Sequence, residues 1–293
     1  MSSPLDAALA FCAQQDFPPA LYMVAAPIGN LADISLRALA VLHHADHLAA
    51  EDTRVAQRLL EAYGLRRPAW RCDQHREAQA AQQIVAAITA GQRVAFVSDA
   101  GTPGISDPGS RIAAAVQAAG QRVIPIPGAS AVTTALAACG LDLHAGFCFA
   151  GFAPEKSTAL RSFLQTALQG TQVTVFFEAP HRLHACLETL HALDPQASLV
   201  IAKELTKQFE TLLPATPQAV LDWLAADPRR AQGEFVVLLQ PRAPEATLDA
   251  MAIAVLQRLV QELPASRAAA VAADLTGLKR DVLYRWLLDQ KQG

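Results

Sequence analysis

The sequence predicts an α/β protein: two α/β lobes with largely parallel sheets, then a small helical C-terminal domain. Three observations carry this expectation. Short apolar runs alternate with helical segments over most of the chain. The apolar share is 52% but the aromatic share only 6%, so Ala, Leu and Val supply a core suited to helices packed on parallel strands. After Pro241–Pro244 the pattern is helical only. The boundaries read as a loose arm over residues 1–20, lobes over 21–140 and 141–242, and a helical piece over 243–293.

In order, Leu21–Ala25 is a first strand, and Asp33 or Ser35 caps a helix from Leu36 to His44. His47–Ala50 is a second strand, and Glu51-Asp52-Thr53-Arg54 opens a helix that Gly64 stops. A basic connection with Arg66, Arg67 and Arg71 leads to Asp73-Gln74-His75-Arg76-Glu77 and a helix ending near Thr89. Arg93–Val97 is a buried strand that runs into Ser98–Gly109, a stretch holding three glycines, two prolines and two aspartates. So much Gly and Pro clears side chains and lets backbone approach a ligand. It is neither a Walker A loop nor Gly-x-Gly-x-x-Gly, and Pro108 spoils a nucleophile elbow. Asp107 with Pro108 reads as the cap and first turn of the next helix. Gln121–Ile126 is a strand, followed by Pro127-Gly128-Ala129-Ser130 and a helix to Cys139.

The second half restarts at Phe147–Ala150, with a helix from Ser157 to about Leu168. Strands at Val173–Phe177, Leu199–Ala202 and Glu234–Leu239 frame the clusters Glu178–Arg182 and Lys203–Lys207 and a helix near Pro217–Ala226. The tail reads as one helix from Leu263 to Thr276 and another from Asp281 to Gln290, the outline of a helix-turn-helix. There is no internal repeat.

The polar residues gather where strands end. Asn30, Glu51–Arg54, Asp99, Ser130, Glu178–Arg182 and Lys203–Lys207 all follow strands, and open parallel sheets bind ligands at that edge. A cleft between the lobes is therefore the expected site. Asp52, Asp107 and Ser130 also fit simple helix caps, and Glu204 with Lys203 or Lys207 also fits a surface ion pair.

Composition narrows the classes. Net charge is −3 and pI about 6.2, so no wholesale basic footprint marks nucleic-acid binding. Five Cys and eight His show no metal-ligand spacing, so no metal is expected. Their number and the chain's size suit a reduced cytoplasmic setting. No apolar run approaches the ~20 residues that span a bilayer.

Seven motifs then occur in one order: Ala26–Leu31, Ala50–Arg54, Ser98–Gly109, Pro127–Ala131, Phe177–Arg182, Lys203–Lys207 and Gly233–Val236. Together they resemble the bacterial small-subunit (16S) ribosomal RNA cytidine 2′-O-methyltransferases, in the tetrapyrrole methylase-like class of S-adenosylmethionine enzymes. The match runs from about Leu21 to Trp286. Ala26 and Lys203 stand where that family has Thr and Arg, and Asp73–Glu77 replaces its His-x-His-Asn-Glu.

The resemblance implies a two-lobed homodimer with S-adenosyl-L-methionine in the cleft. It implies donor contacts from Pro27, Asp99, Ala100, Gly101, Gly104, Ile105, Asp107, Ser130 and Ala131, and from Phe177, Glu178, Glu234 and Phe235. The acceptor it implies is a cytidine ribose 2′-hydroxyl in the decoding region of the small ribosomal subunit. A base for that hydroxyl is expected among Asp52, Glu51, Glu204 and Asp99, which the sequence does not separate. Arg54, His75, Arg182, Lys203 and Lys207 are candidate RNA contacts, with Arg267, Lys279, Arg280 and Arg285 adding a basic patch on the tail. Two alternatives stay open: a same-fold methylase of a small tetrapyrrole or a protein, and a non-catalytic RNA-binding assembly factor.

Overall fold

The computed structural model describes Ala10, Cys12 and residues 14–73, 76–242, 250–278 and 280–290. The chain divides into two compact units, Met1–Pro241 and Arg242–Gly293. Most of the expected N-terminal arm lies outside the described residues. Its described end is anchored, because Phe17 packs on Tyr22 and stacks on His44 at 5.2 Å.

Among the described residues the first unit holds ten strands in two sheets of five. The first sheet contains β1 (Leu21–Val24), β2 (His47–Ala50), β3 (Ala69–Arg71), β4 (Val94–Val97) and β5 (Val123–Ile126). Its order is β3-β2-β4-β1-β5 and every pairing is parallel. Helices α1 (Leu36–His44) and α2 (Thr53–Ala62) pack on one face through Val41, Leu42 and Leu60. Helices α3 (Glu77–Thr89) and α4 (Ser110–Ala118) pack on the other through Ile84, Ile112 and Val116. Neighbouring strands β1 and β4 send their connections in opposite directions, to β2 and to β5. Such a divergence opens a crevice at the carboxyl edge, and the loop Ser98–Gly109 sits there.

The second sheet contains β6 (Phe147–Phe152), β7 (Val173–Glu178), β8 (Leu199–Lys203), β9 (Thr211–Ala215) and β10 (Phe235–Leu239), in the order β6-β7-β10-β8-β9. The expectation of a largely parallel sheet needs correction here. Only β6 and β7 pair in parallel, while β7–β10, β10–β8 and β8–β9 are antiparallel. The link between β8 and β9, residues 204–210, is a hairpin connection, too short for the crossover that a parallel pair demands. One result matters for the site. Because β10 runs backwards, its start at Gly233–Phe235 lies at the same edge as the ends of β7 and β8. Phe235 is in register with both Glu178 and Lys203.

Helices α5 (Ala131–Ala138), α6 (Ser157–Gln169), α7 (Pro180–Leu193) and α8 (Pro217–Ala225) complete the first unit. The last three cover one face of the second sheet with Leu164, Leu187 and Val220. The opposite face, with Val175, Val200 and Val236, packs against Ile28 and against Val132 and Ala135 of α5. This apolar layer ties the second sheet to α5 and to the turn that follows β1. In the second unit α9 (Ala250–Leu259), α10 (Ala265–Thr276) and α11 (Arg280–Asp289) surround Leu256, Ala268, Ala272 and Leu283. Gly277 closes α10 in the left-handed conformation, at φ 71°. Arg267, Arg280 and Arg285 are exposed there, and Lys279 lies outside the described residues.

Candidate active site

A cleft of about 450 Å³ opens at the shared edge of the two sheets, within the size range of small-molecule sites. The loop Ser98–Gly109 forms its floor and is stitched to its neighbours. Ala26 and Gly101 exchange backbone hydrogen bonds at 2.8 and 3.1 Å, and Thr102 Oγ1 donates to the Ala129 carbonyl at 3.1 Å. Gly101 lies at φ 73° and Gly104 at φ 84°, backbone that side chains disfavour. A Cβ on Gly101 would press on Ile28 at 3.3 Å.

Asp107 does not cap the following helix as expected. Its Oδ1 instead accepts the Gly104 N–H, closing the loop on itself. Helix α4 begins at Ser110, and its N-cap Gly109 lies at φ 133° with no side-chain cap. The loop turns one residue further because the buried Glu77 of α3 reaches over and accepts the Gly109 N–H at 3.2 Å. Burial pushes the Asp107 carboxyl upward.

The carboxylates after β2 separate cleanly. Asp52 caps α2, accepting the Arg54 N–H at 2.8 Å, and pairs with the Arg54 guanidinium at 2.6 Å. Arg54 holds its carboxyl far below the usual range, which makes it a weak base, and Asp52 does not line the cleft. Glu51 does line it. Burial, then the charges of Asp99 and Asp107, raises the Glu51 carboxyl above its ordinary value. Asp99 joins the two loops, its Oδ1 accepting the Asp52 N–H at 3.1 Å.

Glu204 sits outside the lining and is spoken for. Its Oε1 accepts Lys207 Nζ at 2.9 Å and the Glu234 N–H at 3.0 Å. Burial pushes its carboxyl up, but the Lys207 ammonium and the other hydrogen bonds outweigh this and leave it lowered. Lys207 Nζ also reaches Glu234 Oε2 at 3.0 Å. A Cβ on Gly233, which stands at φ 97°, would lie 2.5 Å from Glu204 Oε1.

The expected donor residues Asp99, Ala100, Gly101, Ile105, Asp107, Ser130, Ala131, Phe177, Glu178, Glu234 and Phe235 all line this one cleft. Pro27 and Gly104, also expected there, are not among the lining residues. The Ser130 hydroxyl makes no cap hydrogen bond to α5 and is left facing the cleft. Sequence reasoning did not single out Ile28, Thr102, Ser106, Phe152, Ala179, Pro180, Ala202, Leu205, Gly233 or Val236 in the lining, nor the Glu77 contact to Gly109. The carboxylates Glu51, Asp99, Asp107, Glu178 and Glu234 line the cleft, and among the described residues no Lys, Arg or His does.

The expected RNA contacts do not share one surface with free charge. Arg54 is exposed and paired with Asp52. Arg182 bonds the buried Glu178 at 3.0 Å and the Ala153 carbonyl. Lys203 is buried in β8. Lys207 lies between two carboxylates. His75 lies outside the described residues.

Comparison with known proteins supplies the family. Residues 20–221 match the tetrapyrrole (corrin/porphyrin) methylases, and residues 246–291 match the RsmI C-terminal HTH domain. The ribosomal RNA small subunit methyltransferase I of Neisseria meningitidis serogroup B is 43% identical over 92% of this chain and 94% of that protein. The protein of the same name from Pseudomonas aeruginosa is 42% identical over 93% and 98%. The chain belongs to the ribosomal RNA small subunit methyltransferase I family. It is therefore a member of an S-adenosylmethionine-dependent methyltransferase family. Its fold is shared more widely. A diphthine synthase superposes with TM-score 0.56 at 16% identity, covering 75% of this chain and 89% of that one. A Thermus thermophilus uroporphyrin-III C-methyltransferase, solved with S-adenyl homocysteine, gives 0.51 at 17% identity, covering 75% and 96%.

Proposed function

We propose that this chain transfers a methyl group from S-adenosylmethionine to a cytidine ribose 2′-hydroxyl in the decoding region of 16S ribosomal RNA. One observation carries the donor half: a cleft of small-molecule size whose described lining holds five carboxylates and no basic side chain, with Glu51, Asp99 and Asp107 free of the cations that pair Glu178 and Glu234 from outside it. Such a lining favours a compact cation and disfavours an anion. S-adenosylmethionine carries a sulfonium and an ammonium, and supplies an electrophilic methyl when bound. The glycine-rich loop around Gly101, with Ser130, Ala131, Phe177 and Phe235, would hold it through backbone and apolar contacts. The acceptor half rests on the small-subunit methyltransferases that are over 40% identical across more than nine-tenths of the chain. The shared fold alone does not choose an acceptor, because diphthine synthase has it too.

Glu51 is the base in this reading. It is the one former candidate beside Asp99 that faces the cleft; Asp99 Oδ1 is engaged by the Asp52 N–H, while burial raises the proton affinity of Glu51. A raised carboxyl is better matched to taking a proton near neutral pH. The fixed loops do the rest, aligning the hydroxyl with the methyl at ~3–3.5 Å. The chain acts in the cytoplasm as a homodimer: its cysteines are free, and β6 is an edge strand with Phe147 45% and Phe152 58% exposed.

The test is methyl incorporation. Labelled S-adenosylmethionine is incubated with small subunits lacking native 2′-O-methyl groups, and the label is mapped by nuclease digestion and mass spectrometry. Label on one cytidine ribose is the expected result. Donor binding without label on RNA overturns the acceptor; no donor binding and no label favours a non-catalytic assembly factor. Sedimentation of the native chain tests the dimer.

A further inference from the structure

The hairpin between β8 and β9 carries a feature that the methyl-transfer chemistry does not use. Phe209, near its tip, is 71% exposed and contributes to none of the apolar clusters of the first unit. Among the described large apolar side chains of that unit it is the most exposed. A floppy loop would explain such exposure, but this loop is held by hydrogen bonds across its turns. Lys207 N–H donates to the Glu204 carbonyl and Glu210 N–H to the Lys207 carbonyl, each at 3.1 Å. Thr206 N–H donates to the Glu210 carboxylate, and Thr211 Oγ1 to the Phe209 carbonyl at 3.3 Å.

The bracing holds an unfavourable backbone. Glu204 stands at φ 49° and Thr206 at φ 65°. A β-branched residue there is an outlier, and strain of this kind persists only where surroundings over-determine it. The hairpin also borders the cleft. Leu205 and Glu234 line it, Lys207 is bonded to Glu234, and Gly29 of the first lobe leaves room for the Lys207 chain, whose Cγ a Cβ there would meet at 2.5 Å. Phe209 is thus held out on a hydrogen-bonded turn, four residues beyond Leu205 of the cleft wall.

Charge selects the ligand. Lys207 Nζ lies between the carboxylates of Glu204 and Glu234, the buried Lys203 also acts on Glu204, and the Glu210 carboxylate accepts the Thr206 N–H. With its ammonium groups committed to carboxylates this rim offers phosphate no free cation, yet it does not oppose the neutral face of a base. Exposed aromatics on rigid supports bind nucleobases by stacking, with little sequence demand.

We propose that Phe209 is a stacking platform for a nucleobase of the acceptor RNA, beside the nucleotide that enters the cleft. The proposal rests on the RNA reading above. The test compares the full-length native chain with F209A and F209W on unmethylated small subunits, using labelled S-adenosylmethionine. Donor binding is followed by calorimetry with S-adenosylhomocysteine. F209A is expected to raise KM for the subunits, or their Kd, ~10-fold or more, with donor Kd unchanged. F209W restores the affinity, and the slope of log K against log salt stays as in the native chain, because no phosphate contact is lost. Native KM in F209A, failure of F209W to restore it, or a flattened salt slope overturns the platform alone. A native chain that methylates no RNA overturns the RNA reading, and the platform with it.

Discussion

At the scale of single residues, the site turns on which carboxylates are already committed. Four acids were equal candidates in the sequence, since each follows a strand. Spacing does not say that Arg54 folds back on Asp52, or that Glu204 is locked between Lys207 and the Glu234 N–H. Of the four, Glu51 lines the cleft and has a raised carboxyl; Asp107 shares both features but is tied to the Gly104 N–H. E51Q should lower kcat by ~10²–10⁴-fold with donor Kd retained, while D52N and E204Q lose far less in single-turnover assays. The pH profile carries a sign. A base must be deprotonated, so native activity falls on acidification through a midpoint above the ordinary carboxylate range. The same raised carboxyl destabilises the fold at pH values above that midpoint, because the folded state then carries a charge it disfavours. E51Q should therefore raise the thermal midpoint of the ligand-free protein at neutral pH, read by calorimetry. A second residue-scale prediction concerns Glu77. Sequence reading gave it no role beyond the segment Asp73–Glu77 that departs from the family's motif, whereas its buried carboxylate reaches the Gly109 N–H. E77A orphans that donor and should cost ~1–3 kcal/mol of stability, with weaker binding of S-adenosylhomocysteine. E77Q keeps an accepting oxygen and should recover most of both.

At the scale of elements, the first lobe was nearly all legible, and the second was not. Alternating strand and helix signals fixed β1, β2, β4 and β5 because each is a short apolar run bounded by turn residues, mostly buried in the first three and buried only at Ile126 in β5. The three-residue β3 (Ala69–Arg71) carries too little pattern, and its burial is partial. Strand β9, Thr211–Ala215, holds Pro214 and lies at a sheet edge, which is where proline is tolerated and where strand signals fade. Missing β9 hid the hairpin, and with it the reversal of β10 that brings Gly233–Phe235 to the cleft. The donor residues of this strand were legible only through family resemblance. The reversal also explains Gly233: the chain must pass under Glu204 to start β10. G233A should cost more than ~1 kcal/mol, from the φ of 97° and the close approach to Glu204. Urea titration measures the stability loss. Lys207 should lose one of its two carboxylate partners in the same variant, detectable by NMR of its ammonium.

At the scale of the whole molecule, charge and domain structure divide the work. The net charge of −3 leaves no general attraction for RNA, and the cleft itself is acidic. Phosphate attraction must come from local patches, and the clearest exposed arginines outside the cleft lobes are Arg267, Arg280 and Arg285 of the helical unit. That unit has its own core around Leu256, Ala268 and Leu283, and every residue that lines the cleft lies between Ile28 and Val236. Donor binding and fold should therefore survive without it. A chain ending at Pro241 is expected to bind S-adenosylhomocysteine with native Kd in calorimetry and to keep the main thermal transition. It should bind small subunits more weakly and with a shallower dependence of log K on log salt, by ~0.7–0.9 for each phosphate contact removed. Replacing Arg267, Arg280 and Arg285 together by Gln in the full chain should reproduce the shallower slope. A truncated chain with native subunit affinity would assign phosphate recognition to the first unit instead, where Arg54 is the exposed candidate.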